Sequence, residues 1–370
     1  MIYLDNSSTT SMCQGARDGI MRGIECWGNP SSLHALGMDA SMELRAARKA
    51  VADALSCSES EIYFTPGGTA SDNTAIFGSV RRSGKVITTA LEHPAVANAC
   101  ERLRERGFNV VTLKTDKNGR FSFDELENEL DGSEVLLSIM LVNNEIGTIN
   151  DIAMVRRLMN MKKSNALLHT DAIQGFGKLK FSAKSLGADL ISISSHKLHG
   201  PKGAGALYVR RGVRLAPYLV GGGQENNLVS GTEPMPAILG FAGAVRELGN
   251  VSENLARAAR LREHFLAQFS EEDKIFVNSP DDALPYIINI SVPGVPSQTM
   301  INALSEKEIY VSAGSACKKG HESSVLRAIG LDSDLINSAI RVSLSRFTTA
   351  EELETAAAEI KNTAKRIRKV

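Results

Sequence analysis

No two of the five cysteines stand as CxxC; Cys13, Cys26, Cys57, Cys100 and Cys317 are scattered along the chain. That spacing offers neither a zinc site nor a dense disulfide framework and fits a reducing cytoplasm. An excess of charge of either sign is also missing. Lys plus Arg and Asp plus Glu number 42 each, which removes any whole-chain electrostatic argument for a nucleic-acid or membrane-surface protein. No apolar run reaches the roughly 18 residues that a membrane span needs, and the opening MIYLDNSSTT lacks the basic and apolar regions of a secretion signal. A soluble, intracellular protein is expected. The chain of 370 residues, 43% of them hydrophobic, is long enough for one large and one smaller domain.

Apolar residues recur at helical spacing from Ser41 to Leu55, and the short run Ile62 to Phe64 then meets the turn Pro66-Gly67-Gly68. A helix is expected from about Ser71 to Arg82. After it, β-rich segments (Val86 to Thr89, Val110 to Leu113, Val135 to Val142, Leu167 to Thr170, Leu190 to Ser194) alternate with helical ones such as Ile152 to Lys162. This alternation predicts an α/β fold with a mainly parallel sheet covered on both faces. Beyond about Asn250 the texture changes: an amphipathic helix from Glu253 to Phe269 leads into YIINISV, IYVSAG, AIRVSLS and a helix from Ala350 towards Arg368. These segments are expected to form a smaller α+β domain that the polar N-terminal stretch joins. The division is 13–252 for the large domain, with 1–12 and 253–370 for the small one.

In DLISISSHKLHGPKGAGALYV a buried-looking strand delivers Ser194, His196 and Lys197 to a Gly- and Pro-rich loop. Lysine rarely ends an apolar strand unless something binds it, and a partly desolvated amine can form a Schiff base. An ordinary strand with an exposed lysine fits the segment equally well. Asp171, at the end of another strand in LLHTDAIQ, could hold a pyridinium nitrogen protonated, with Gln174 on the ring's phenolic oxygen; it could also simply cap a helix. The loop TPGGTASDN runs from strand to helix, so the amides of Gly68 and Thr69 can cradle a phosphate, and it matches neither the Walker pattern nor GxGxxG. His93, just before Pro94, could stack on a flat ring or be structural. Cys317 stands in a small, polar loop flanked by Lys318 and Lys319, a setting that favours the thiolate; the other four cysteines read as inert. Arg341 in AIRVSLS calls for a substrate carboxylate or a structural ion pair.

Taken together and in order, YLDNSSTT, GNPSSLHALG, IYFTPGGTASDN, EHPAV, VNNEIGTI, HTDAIQ, SSHKLHGPKG, GGGQE, SGT, GSAC and IRVSLSRFTT resemble the cysteine desulfurases of the class V aminotransferase group. The resemblance covers nearly the whole chain. It implies fold type I of the pyridoxal-phosphate enzymes, with a seven-stranded large-domain sheet, and pyridoxal 5'-phosphate as cofactor. Lys197 would then carry the cofactor, Thr69, Ser194 and His196 would hold its phosphate, and Thr232 would reach that phosphate from the second subunit of a homodimer. Asp171 would pair with the ring nitrogen, Gln174 and Asn144 would lie near the ring oxygen, and His93 would stack on the ring and move protons. Arg341 and Asn29 would hold the carboxylate of L-cysteine, and Cys317 would take its sulfur for an acceptor such as an iron-sulfur scaffold. No metal, membrane or nucleic acid is implied. The chain departs from the family where Val229 and Asn226 stand in place of two usual arginines, where Ala70 replaces a frequent Glu, and in a short loop after Cys317. A selenocysteine lyase, a related aminotransferase or lyase in which Cys317 is incidental, and a binding partner without catalysis are the rival readings.

Overall fold

The computed structural model describes residues 1–81, 83–313 and 322–368. Strand β1 (Ile2–Tyr3) is short and stands apart from the main sheet. That sheet has seven strands: β2 (Ile62–Thr65), β3 (Lys85–Thr89), β4 (Asn109–Leu113), β5 (Glu134–Ser138), β6 (Leu167–Asp171), β7 (Leu190–Ser194) and β8 (Gly205–Val209). They run across it in the order β2-β8-β7-β6-β5-β3-β4. Pairings among β3 to β7 are parallel, while β8 runs against both β7 and β2. Strands β3, β7 and β8 are buried along their full length, as a sheet covered on both faces requires.

Past the main sheet, β9 (Phe276–Val277), β10 (Ile287–Ser291) and β12 (Ala339–Ser343) form an antiparallel trio, and β11 (Ile309–Tyr310) pairs in parallel with β1. The N-terminal segment then runs on along β12 through a bridge from Asp5 to Ser343. Residues 5–10 are thereby brought against the main sheet, where the Thr10 amide donates to the carbonyl of His196.

Three differences from the sequence reading have local causes. The helix expected from Ser71 begins at Gly68, because Gly67 at φ 146° supplies a turn that side-chain-bearing residues rarely adopt. β5 stops at Ser138 rather than Val142; the Ile139 and Leu141 amides still donate to the carbonyls of His169 and Asp171, but outside the regular ladder. The helix before β2 starts at Ala35, capped by the His34 side chain, six residues before its regular apolar spacing becomes legible.

Helix Gln14–Glu25 carries Gly15, Gly19 and Gly23 four residues apart, on one face. That face lies against helix Met235–Arg246 so closely that a Cβ on Gly243 would sit 1.9 Å from the Gly15 carbonyl oxygen. Backbone cannot move aside as a flexible side chain does. Gly243→Ala is therefore expected to destabilise the protein by about 2 kcal/mol or more, read as a lower Tm.

Candidate active site

Parallel strands collect their carboxyl ends at one edge of a sheet, and ligands sit in the crevice beyond that edge. Here the edge presents Gly68 and Thr69 after β2, His93 after β3, Asn144 after β5, Asp171 closing β6, and Ser194, His196 and Lys197 at the end of β7. All of them line one cavity of about 420 Å³. Gln174 and Arg341 line it too, and so do Ser7 and Ser8 from the N-terminal segment. Sequence reasoning did not single out these two serines: their contacts span nearly 190 residues and leave no periodic trace.

Lys197 Nζ donates to the carbonyls of Ser7 at 2.5 Å and Ser8 at 2.6 Å. Burial, with Arg341 adding to it, lowers its pKa to about 8, while Asp171 and Asp5 oppose the fall. The amine is thus free of its proton far more often than an exposed lysine. Asp171 accepts from the Ile173 amide at 2.9 Å, a tight turn rather than a helix cap. Burial raises its pKa, opposed by that hydrogen bond and by Lys197. Behind it Asp72 is fully buried, and its carboxylate too is raised by burial and by the charge of Asp171. Burial also lifts Glu92 to about 8. Of these three acids, Asp171 is the one that lines the cavity.

His169 bonds the Ser138 hydroxyl through Nδ1 at 2.8 Å and the Ser192 hydroxyl through Nε2 at 2.9 Å, with Asp72 3.6 Å from the same Nε2. Burial holds its pKa down near 3, so it is a neutral imidazole. His93 is likewise held neutral, at about 4, by burial and by Lys197. Its Nδ1 accepts the Ala95 amide at 3.1 Å, which leaves the proton on Nε2. The sequence reading missed this helix-capping role, which fixes the ring beside the cavity.

Arg341 is buried, and its guanidinium donates to the Asn144 carbonyl at 2.7 Å, to Asp5 at 2.9 Å and to the Ser8 hydroxyl at 2.7 Å, with Nε unpartnered. It forms the structural ion pair that was one of its two readings. Gln174 donates through Nε2 to the Ser7 carbonyl at 2.9 Å. Asn29 and Thr232 are exposed and do not line the cavity. Val229 packs in an apolar cluster with Leu190, Leu207 and Leu228, and Asn226 sits in a left-handed turn from Glu225 to Asn227, held by Arg48 gripping Glu225 with two nitrogens. Neither departure from the family pattern presents charge to the cavity.

Cys317 lies outside the described residues. Both flanks of its segment are tied to the cavity wall. Ser312 exchanges backbone hydrogen bonds with Arg341, and the Ser323 hydroxyl donates to Glu145, next to Asn144, at 2.6 Å. Burial raises all four remaining thiols, Cys57 and Cys100 to about 12, so none of them offers a ready thiolate. Among the described residues no group of three or more His, Cys, Asp or Glu could hold a metal.

The sequence profile of the family described as aminotransferase class-V matches residues 2–355. The chain belongs to this family. Among curated class-V relatives, it is 38% identical over 363 residues to "Cysteine desulfurase IscS" of Methanosarcina thermophila, with 95% of this chain and 89% of that protein covered. It is also 38% identical over 369 residues to "Cysteine desulfurase" of Nostoc sp., covering 96% and 90%. A solved "NifS-like protein" superposes with TM-score 0.92 at 35% identity over 98% of each chain. A structure titled "SspA in complex with cysteine" follows with TM-score 0.83 and 32% identity, over 94% of this chain and all of that one.

Class-V enzymes of this kind work with pyridoxal 5'-phosphate, and the residues of this chain fit it. An anion is provided for by the first turn of helix Gly68–Ser79 and by the buried Ser194 hydroxyl, which has no partner of its own. A Cβ on Gly68 would lie 2.3 Å from Ile173 Cδ1, the flexible end of a side chain that also lines the cavity. A basic ring nitrogen suits Asp171, and an aldehyde suits the amine of Lys197.

Proposed function

We propose that the chain is a pyridoxal-phosphate-dependent cysteine desulfurase, which converts L-cysteine to L-alanine and leaves the sulfur as a persulfide on Cys317. The observation that carries this reading is the meeting of a depressed lysine amine, a buried carboxylate and an anion cradle in one cavity whose walls anchor both flanks of the Cys317 segment.

Lys197 holds the cofactor, with Asp171 at the ring nitrogen, Gln174 and Asn144 near the ring oxygen, His93 against the ring, and Gly68, Thr69, Ser194 and His196 on the phosphate. When bound, the cofactor supplies an aldehyde carbon that takes the substrate amine and a ring that accepts the electron pair left on Cα. The amine of Lys197, displaced by the substrate, removes the Cα proton. Arg341, which lines the cavity, attracts the substrate carboxylate, and Asn29 assists. The Cys317 thiolate attacks the substrate sulfur: an S–S bond forms, the C–S bond breaks, and the electron pair passes to Cβ. Sulfur is thereby oxidised to the persulfide level and Cβ is reduced to the methyl of alanine. The neutral His93, with its proton on Nε2, serves the closing proton transfer.

Thr232 reaches the phosphate from a second copy of the chain. A homodimer is supported by the exposed apolar side chains of Trp27, Leu33, Leu36, Met38 and Met42 on the segment that also carries Asn29. We propose the cytoplasm as the setting; no helix among the described residues is long and apolar enough to cross a membrane. The acceptor of the sulfur is a protein such as an iron-sulfur scaffold. The two-domain division at 252/253 is supported by the separate sheets on either side of it.

The test is to incubate purified protein with L-cysteine and compare Cys317→Ala. Alanine and sulfide are expected from the wild type and a loss of both from the variant; equal production by the two removes Cys317 from the mechanism. The depressed pKa of Lys197 gives a second expectation. Since the unprotonated amine is the reactive form, cofactor uptake by the apo-protein should rise with pH to half its maximum near about 8, well below the ordinary lysine value of 10.5. Stopped-flow absorbance reads the rate, and a climb continuing through the ordinary lysine value contradicts the assignment.

A further inference from the structure

Lys178 follows Gln174 by four residues, and the reaction as derived above gives it no part. It is 8% exposed, and among the described residues no carboxylate lies within ion-pairing distance of it. Burying an ammonium without an anion is costly, so a buried unpaired lysine calls for an explanation. Its Nζ donates to Gln174 Oε1 at 3.1 Å, and the Tyr286 ring lies 6.0 Å away. From the other end of that amide, Nε2 donates to the Ser7 carbonyl, which also accepts from Lys197. Lys178, Gln174, Ser7 and Lys197 therefore form one hydrogen-bonded chain that ends in the cavity.

A primary amide is nearly the same shape either way round, so only its partners decide which end faces a ligand. The Ser7 carbonyl is shared with Lys197 and is a weak determinant alone. A donor on Oε1 that can only donate removes the ambiguity: Nε2 is turned towards the cavity side, with one N–H on Ser7 and the second free.

We infer that Lys178 is a positioning residue for the cofactor's ring oxygen, holding the Gln174 amide so that its NH₂ edge, rather than its carbonyl, is presented to that oxygen. This rests on the assignment of Gln174 to the cofactor ring. Burial, then the charges of Lys197 and Arg341, lower the Lys178 pKa to about 7; the ammonium can only donate and fixes the amide, whereas above that value the neutral amine can also accept and only the shared Ser7 carbonyl still favours this orientation.

The test compares K178M with K178Q, alone and with Q174A, and reads the cofactor dissociation constant, the visible absorption maximum of the loaded protein and the Tm. K178M is expected to weaken cofactor binding about tenfold and to shift the absorption band. K178Q, whose amide can donate to Gln174 but can also accept from it, should keep part of both. On the Q174A background K178M should change neither further, because the effect travels through Gln174. An unchanged dissociation constant and absorption maximum in K178M, or effects that add fully to those of Q174A, overturn the inference. If K178M does not fold, Q174E decides: it keeps an acceptor for Lys178 but lacks the NH₂, and wild-type affinity and spectrum in that variant overturn the inference as well. A wild-type protein that takes up no pyridoxal phosphate overturns the proposed function instead, and with it this inference.

Discussion

Lys197→Ala is expected to abolish the cofactor's lysine-linked visible absorption and to lower alanine formation from cysteine by roughly 10³-fold, within the 10²–10⁴-fold range of a positioned acid-base group. In the proposed mechanism the same atom performs two tasks, attachment and proton removal, so no neighbour replaces it. Lys178 lies deeper and is bound to Gln174, and His93 is engaged through Nδ1 at the start of its helix. The fold should be unaffected, because Lys197 Nζ donates only to the Ser7 and Ser8 carbonyls, which the cavity's water can satisfy. Retention of the lysine-linked band, read by absorbance before and after borohydride reduction, refutes the attachment.

Asp171→Asn is the second large effect, with an expected loss of roughly 10²–10³-fold in turnover, the scale of removing one preorganised electrostatic partner. An amide cannot hold a proton on the ring nitrogen, and the ring then accepts electrons poorly. Asp72 does not compensate. It is fully buried, does not line the cavity and is pushed towards its neutral form by burial. Cofactor binding should survive, since the phosphate cradle and Lys197 remain; a variant with near-normal turnover would remove Asp171 from its role.

Much of the site was legible because its residues sit where apolar strands end. Leu190 to Ser194 could be read directly as a strand, and the polar SHK after it marks the point where the chain leaves the sheet. The Pro66-Gly67-Gly68 turn likewise marks the passage from strand to helix, although the helix begins three residues before the expected Ser71. What stayed hidden depends on contacts distant in sequence. Ser7 and Ser8 were read only as a polar N-terminus, yet their carbonyls hold Lys197 across nearly 190 residues. The close packing of the two glycine-bearing helices was equally hidden until both faces were seen together, although the four-residue spacing of Gly15, Gly19 and Gly23 was available as a signal. Lys178 offered a fainter one, a cation in a segment otherwise buried, four residues after Gln174.

The central claim is that sulfur passes from L-cysteine to Cys317 by direct attack. A single-turnover incubation without reductant, followed by mass spectrometry of the proteolysed chain, tests it most directly. The account predicts one added sulfur atom on the peptide containing Cys317, in step with one alanine per active site. Alanine formed with that peptide unmodified, or with the sulfur on Cys13, Cys26, Cys57 or Cys100, would contradict it.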